Sequence, residues 1–240
     1  MAVDVRENLE RVRGKIAEAA ARAGRDAREI TLVAVTKGIP VDVIRTAFEN
    51  GCRDLGENRV QELLVKQKRL AGVRWHFIGH LQRNKVRSLI EHVTLIHSLD
   101  RWNLAEEISR CAAARGLVVP VLIQVNVARE TTKYGVEPEA AADLAEAAGR
   151  LPGLSIQGLM TIAPQADDPE EVRPVFRALR SLGREIAGRV PGFSLKYLSM
   201  GMSNDYTVAI EEGANLVRVG SAVFGARSAY TESRGMFTGG

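Results

Sequence analysis

The sequence predicts an α/β fold: one closed (β/α)8 barrel of the TIM type, with an extra helix at its N-terminus. Three observations carry this expectation. Eight short apolar segments alternate with helix-like segments along nearly the whole chain, the pattern of a parallel sheet covered by helices. The 240 residues suit eight such units in one domain. The first strand, Thr31–Thr36, is apolar on both faces, as a buried parallel strand must be. A doubly wound open sheet is the alternative. It normally carries a glycine-rich dinucleotide loop after its first strand, and the T-K-G-I-P found there is not one.

The elements follow in order. Residues 3–23 place Val5, Leu9, Val12, Ile16, Ala19 and Ala20 near helical spacing, with Gly24 as a stop. Strand one leads to Lys37. Pro40 opens a helix over Val41–Asn50, closed by Gly51. Strand two, Cys52–Leu55, runs into Gly56-Glu57-Asn58, and Arg59–Leu70 is the next helix. Strand three is Arg74–Gly79; a polar loop and a short helix to about Ile90 follow. Strand four is Thr94–Leu99, with a helix over Arg101–Arg115. Strand five, Pro120–Asn126, precedes a long polar loop and an alanine-rich helix, Glu137–Gly149. Strand six is Ser155–Thr161, followed by a helix over Pro169–Ala187 with Pro174 in its first turns. Strand seven is Tyr197–Met200, with a helix over Asn204–Glu212. Strand eight is Asn215–Val219. The tail, residues 227–240, reads as weakly ordered. No linker or repeat divides the chain, so residues 1–240 read as one domain.

Bulk properties narrow the function. No apolar run is long enough to span a bilayer, and the amphipathic N-terminus lacks a signal-peptide core. Cys52 and Cys111 follow no metal or redox spacing, which fits reduced thiols in a cytoplasmic protein; no metal site is expected. A net charge of +4 with dispersed basic residues does not call for nucleic acid and suits a small anionic ligand.

In a barrel, function sits at the C-terminal ends of the strands, and phosphate sites often form after strands seven and eight. Lys37 lies at such an end. Alternation puts Val33, Val35 and Lys37 on one face, which points Lys37 into the barrel mouth. There its amine is a candidate nucleophile; otherwise it snorkels to water. Ser199-Met200-Gly201-Met202-Ser203-Asn204-Asp205 and Arg218-Val219-Gly220-Ser221 occupy the two phosphate positions. Gly201 permits close backbone approach, and Ser203 or Asp205 can cap the next helix. Both stretches also read as ordinary strand-to-helix turns. Arg218 lies within an apolar strand and must find acceptors: either a salt bridge to Glu57 or Asp54, or a ligand's nitrogen or anion. A lysine amine, a phosphate cradle and an inward arginine together point to pyridoxal 5′-phosphate. Lys37 would form an aldimine with its aldehyde, the helix start and Ser221 would hold the phosphate, and Arg218 would face the pyridine nitrogen.

The stretches L-V-A-V-T-K-G, G-E-N-R-V-Q-E, W-H-F-I-G-H-L-Q-R-N-K, S-L-D, G-L-M-T-I-A, L-S-M-G-M-S-N-D and V-R-V-G-S-A-V-F-G run from about residue 30 to 225. With these the sequence resembles the pyridoxal-phosphate homeostasis proteins, the YggS- or PROSC-like family. The resemblance implies a fold-type III barrel like the N-terminal domain of alanine racemase, with Lys37 as the Schiff-base lysine. It implies a cofactor site lined by Lys37, Asn58, Ser199, Ser203, Arg218, Gly220 and Ser221, and cofactor binding without established turnover. The loop holding Lys133 matches a region that also carries a lysine in relatives.

The expected role is therefore intracellular buffering or delivery of pyridoxal phosphate, with apo-enzymes that need it as potential recipients, and with a monomeric protein. The alternative is a pyridoxal-phosphate enzyme acting on an amino acid. Two features weigh against it. The chain ends soon after strand eight, where such enzymes carry a second, β-rich domain. An arginine on the pyridine nitrogen also weakens the ring as an electron sink. Among the histidines, His80 reads either as a site residue or as a satisfied loop residue.

Overall fold

The structure, a computed structural model, describes residues 3–226 and Tyr230. Eight parallel strands close into a barrel in chain order: β1 (Thr31–Val35), β2 (Asp54–Glu57), β3 (Arg74–Phe77), β4 (Leu95–Leu99), β5 (Val119–Gln124), β6 (Leu154–Met160), β7 (Tyr197–Ser199) and β8 (Leu216–Val219). β8 closes the barrel against β1, with Thr31 opposite Leu216 and Ala34 opposite Val219. The expected single TIM-type barrel is the fold observed.

Side-chain alternation explains why both faces of the strands are apolar. Val33, Leu95, Leu122, Met160 and Leu216 form a cluster inside the barrel. Their neighbours Ala34, Ile96, Ile123, Leu159 and Val217 belong to the larger core between strands and helices. The helices of that outer layer are α1 (Val5–Arg22), α2 (Val41–Glu49), α3 (Val60–Gln67), α4 (Val86–Leu89), α5 (Trp102–Ala113), α6 (Ala141–Gly149), α7 (Arg173–Arg189), α8 (Tyr206–Glu211) and α9 (Ser221–Phe224).

α1 is the extra helix. Asp4 caps it by accepting from the Glu7 N–H at 3.0 Å. Its apolar stripe is buried where it packs on α8 and α9, and Asn8 Nδ2 donates to the Val223 carbonyl at 2.9 Å. After α1, Arg25 Nη1 donates to the carbonyls of Ile210 and Ala214 at 2.9 and 2.7 Å, tying this segment to the β7–β8 side.

Several boundaries depart from expectation; β2, for one, is Asp54–Glu57 rather than Cys52–Leu55. The last helix before β8 begins at Tyr206 rather than Asn204, because Asp205 and Tyr206 both donate to the Met202 carbonyl and turn the chain first. Short 3-10 turns, Pro138–Ala140 and Pro169–Val172, precede α6 and α7. Pro174 therefore sits in the first turn of α7, where no helical N–H is lost. Of the tail 227–240, only Tyr230 falls within the described residues; its hydroxyl donates to the Phe224 carbonyl at 2.6 Å.

Candidate cofactor site at the barrel mouth

The C-terminal ends of the strands open into a cavity of about 430 Å³. That lies within the roughly 300–1,000 Å³ of small-molecule sites. Val35, Arg218, Met202, Ser203, Asn204, Gly220, Ser221 and Lys133 are among its walls.

The two turns expected to hold a phosphate meet here. Gly201 ends β7 with φ +90°, and a Cβ there would stand 2.6 Å from Ala209 Cβ and 2.8 Å from Tyr206 Cα. The turn can thus lie flat on α8 only with glycine. Asp205 caps neither expected partner in its own helix; it accepts from the Met202 N–H at 2.5 Å and so closes the turn. Burial raises its carboxyl pKa, opposed by that N–H and by the Arg218 charge. Ser203 reaches across to the other turn, where its Oγ accepts from the N–H groups of Gly220 and Ala222 at 3.2 and 3.4 Å. Ser221 is exposed to the cavity.

Arg218 is 4% exposed. Neither Glu57 nor Asp54 holds it. Nη1 donates to Ser199 Oγ at 2.6 Å and Nη2 to the Thr161 carbonyl at 2.8 Å. The two carboxylates are engaged elsewhere: Asp54 by Arg74 and His76, Glu57 by Lys66 and Thr36. Burial pulls the guanidinium pKa down to about 10, with the Asp205 charge opposing, so it stays protonated at neutral pH. Two of its five donors are used in these bonds, and the residue lines the cavity.

Ser199 is fully buried and is not a wall of the cavity. The structure places its hydroxyl between the Arg218 guanidinium and His97 Nδ1, the latter at 2.8 Å. Lys37 is half-buried in the turn after β1, two residues beyond the wall residue Val35. Its backbone is clamped on both sides: Lys66 Nζ donates to the Thr36 carbonyl at 2.7 Å, and the Gly38 N–H donates to Glu62 Oε2 at 3.0 Å. Asn58 follows β2 and presents a buried Oδ1 with no hydrogen-bond partner among the described residues. Lys133 does line the cavity. Its ammonium donates to the Ala163 carbonyl at 3.0 Å and pairs with Glu130. His80 is a satisfied loop residue, bonded to Asp100 at 3.2 Å and stacked on Tyr134.

This geometry can be set beside known proteins. The family model for the alanine racemase N-terminal domain matches residues 8–228. The pyridoxal phosphate homeostasis protein of Aquifex aeolicus is 49% identical over 223 residues, covering 92% of this chain and 97% of that protein. The protein of the same name from Escherichia coli K12 is 40% identical, covering 93% and 97%. This chain belongs to the pyridoxal phosphate homeostasis protein family. PipY of Synechococcus elongatus, solved with pyridoxal phosphate bound, superposes with a TM-score of 0.77 at 36% identity, over 88% of this chain and all of PipY. Clostridium difficile alanine racemase, at 15% identity and a TM-score of 0.75, shares the barrel alone; the match covers 59% of that enzyme.

Within this homeostasis-family barrel the donor set suits pyridoxal phosphate. Two hydroxyls and a glycine turn offer an anion site, and a Cβ at Gly220 would meet only Val35, at 3.4 Å. A protonated guanidinium with spare donors faces the same cavity. Asn58, which is not among the cavity's lining residues, keeps a buried Oδ1 without a partner among the described residues.

Sequence reasoning missed the Lys66–Glu57–Glu62 group that fixes the Lys37 turn, and His97 beneath Ser199. Glu57 and Glu62 lie within the G-E-N-R-V-Q-E stretch, which was the available signal.

Proposed function

We propose that this chain binds pyridoxal 5′-phosphate at the barrel mouth, covalently through Lys37, and serves its intracellular buffering or delivery without turnover of its own. The observation that carries this reading is Arg218: a buried guanidinium, held by neutral acceptors, facing a cavity flanked by the Ser203 and Ser221 turns. PipY with its bound pyridoxal phosphate supports the ligand.

Bound there, the cofactor supplies a reactive aldehyde that condenses with a primary amine by loss of water. Lys37 provides the amine, on a turn whose backbone is clamped at Thr36 and Gly38. Ser203, Ser221 and the Gly220 turn hold the phosphate. Arg218 donates to the ring nitrogen and so keeps that nitrogen unprotonated, which limits its power as an electron sink. Asn58 takes the ring hydroxyl. Such a site stores an aldehyde and gives it up to acceptors such as apo-enzymes that need it. The cytoplasm is the proposed location, in keeping with two cysteines that are both free thiols. We place the protein as a monomer, with residues 1–240 acting as one domain and no nucleic-acid partner.

The alanine racemase domain match favours one other reading, an amino-acid enzyme using the same cofactor. Borohydride reduction of the loaded protein, with peptide mapping, tests the first reading. An adduct on the Lys37 peptide that is absent from a folded Lys37→Ala variant is expected. An adduct only on Lys133, or none, would overturn it. Turnover across an amino-acid panel with saturating cofactor would favour the enzyme.

A further inference from the structure

We propose that Asp54, His76, His97 and Ser199 are positioning residues: they form a one-way hydrogen-bond chain through the barrel that orients the Arg218 guanidinium toward the cavity. The inference deepens the reading of that cavity as the cofactor site and rests on it.

The chain can be followed proton by proton. A guanidinium only donates. Ser199 Oγ therefore accepts from Arg218 Nη1 at 2.6 Å, and its single proton is left for His97 Nδ1 at 2.8 Å. With Nδ1 accepting, a neutral His97 carries its proton on Nε2. That nitrogen faces His76 Nδ1 at 2.9 Å, which must then accept. His76 Nε2–H is left to donate to Asp54 Oδ1 at 3.0 Å. A carboxylate only accepts, and Arg74 holds this one through Nε at 2.8 Å and Nη2. With both rings neutral, Asp54 accepting from His76 Nε2–H fixes His76 Nδ1 as an acceptor, and the remaining links then run one way. A protonated His76 would reverse them and put the His97 proton on Nδ1, which is the competing arrangement.

The chain also joins the two ends of the barrel. Asp54 and Arg74 line a cavity at the N-terminal mouth, with Cys52 and Thr31, while Arg218 lines the cavity at the C-terminal mouth. β4 and β7 are not neighbours in the barrel, so the His97–Ser199 bond crosses its interior. Asp54, His76, His97, Ser199 and Arg218 are all buried. Charged groups facing the chain are Asp54 on β2, Arg74 on β3, Arg218 on β8 and Asp205 beyond it. Burial above all, with the Arg218 charge beside it, holds the His97 pKa well below its ordinary value, so this ring stays neutral.

The test uses the full chain labelled with 15N in its histidine rings. His80→Gln and His92→Gln variants assign the other two signals. Between roughly pH 6 and 8, the range in which free histidine titrates, His97 is expected as the neutral Nε2–H tautomer, donating to His76 Nδ1. An Nδ1–H tautomer or an imidazolium at His97 would overturn the chain. Ser199→Ala and the remote Asp54→Asn are then loaded with pyridoxal phosphate. Both are expected to move the midpoint of the pH-dependent cofactor absorption, although Asp54 lies four links from the guanidinium. A folded Asp54→Asn with an unchanged midpoint and an unchanged His97 tautomer would also overturn it. Should Asp54→Asn fail to fold, the wild-type tautomers decide. A wild type that binds no cofactor would remove the reading of the cavity and leave the tautomer result standing.

Discussion

Lys66 Nζ donates to Glu57 Oε1 at 2.6 Å, and the same ammonium holds the carbonyl of Thr36, the residue before Lys37, at 2.7 Å. Both side chains are buried. Thr36 Oγ1 also donates to Glu57 Oε1, at 2.6 Å. Burial raises the Glu57 pKa, with the Lys66 charge and hydrogen bond opposing. The pair costs desolvation and gives back geometry: it sets the backbone on which the proposed covalent residue stands.

Lys66→Met should therefore be strongly destabilising. It leaves Glu57 without its cation and frees the Thr36 carbonyl, a loss of roughly 3–5 kcal/mol. Glu57→Gln together with Lys66→Met should recover part of that stability but not the rate of adduct formation at Lys37, because the Thr36 clamp is still gone. Urea unfolding and borohydride trapping measure the two effects. Full recovery of both would mean that the pair does not position Lys37.

Gly201→Ala should lower stability and loosen anion binding together. The added Cβ meets Ala209 Cβ at 2.6 Å and Tyr206 Cα at 2.8 Å, and φ is +90°. The expected loss is about 1–3 kcal/mol. The turn carrying Ser203 must shift to make room, so phosphate-bearing ligands should weaken. Calorimetry with inorganic phosphate and pyridoxal phosphate reads this directly.

The barrel was legible because apolar strands and helices alternate along the chain; Val33 and Ala34 fall on the faces that their parity requires, although irregularities in β4, β5 and β6 break that parity. Lys37, Arg218, Ser203 and Ser221 stood out in the sequence as polar residues at strand ends or in an apolar strand, and Gly220 as the glycine between Val219 and Ser221. The partners were not. Lys66 reads as an ordinary surface lysine four residues after Glu62, and only the pairing of β1 with β2 under α3 brings Thr36 and Glu57 to it. His76 and His97 sit in apolar strands with no sign of each other until the register is known. Ser199 was read as a site residue, but its bonds to His97 on β4 and Arg218 on β8, far apart in the chain, could not be read from the sequence.

Acid should unfold the protein partly through Glu212. Arg177 above all, with Arg173 and Arg180, holds this carboxyl below the usual range. Its folded pKa lies below its unfolded one, so the stabilisation is complete above about pH 4.3. It is lost as pH falls through the folded value. Asp54 behaves alike: burial works to raise it, but the bonds from His76 and Arg74 prevail and lower it. Glu212→Gln should reduce stability at pH 7 by about 1–2 kcal/mol, because the arginines are partly exposed and screened. The gap to wild type should close as pH drops. A gap that is constant from pH 7 to about 3 would show that the charge is not the source.

Ser221→Ala and Ser203→Ala should separate binding from folding. Ser221 is exposed at the cavity, so its loss leaves the barrel intact. Ser203 joins the two turns through the Gly220 and Ala222 N–H groups, so its loss also orphans two donors. Ser221→Ala should leave the thermal midpoint unchanged and weaken pyridoxal phosphate by about 1.5–3 kcal/mol, the worth of a hydrogen bond to a charged group. That is roughly a 10- to 150-fold loss of affinity. Pyridoxal, which lacks the phosphate, should bind both proteins alike. Ser203→Ala should lower the thermal midpoint as well, by an amount that the ligand partly restores through preferential binding to the folded state. The measurement is a pair of titrations, phosphate ester against free alcohol, beside a melting curve for each variant. Equal weakening for both ligands would place the phosphate elsewhere and leave Ser203 as a strut between β7 and β8 alone.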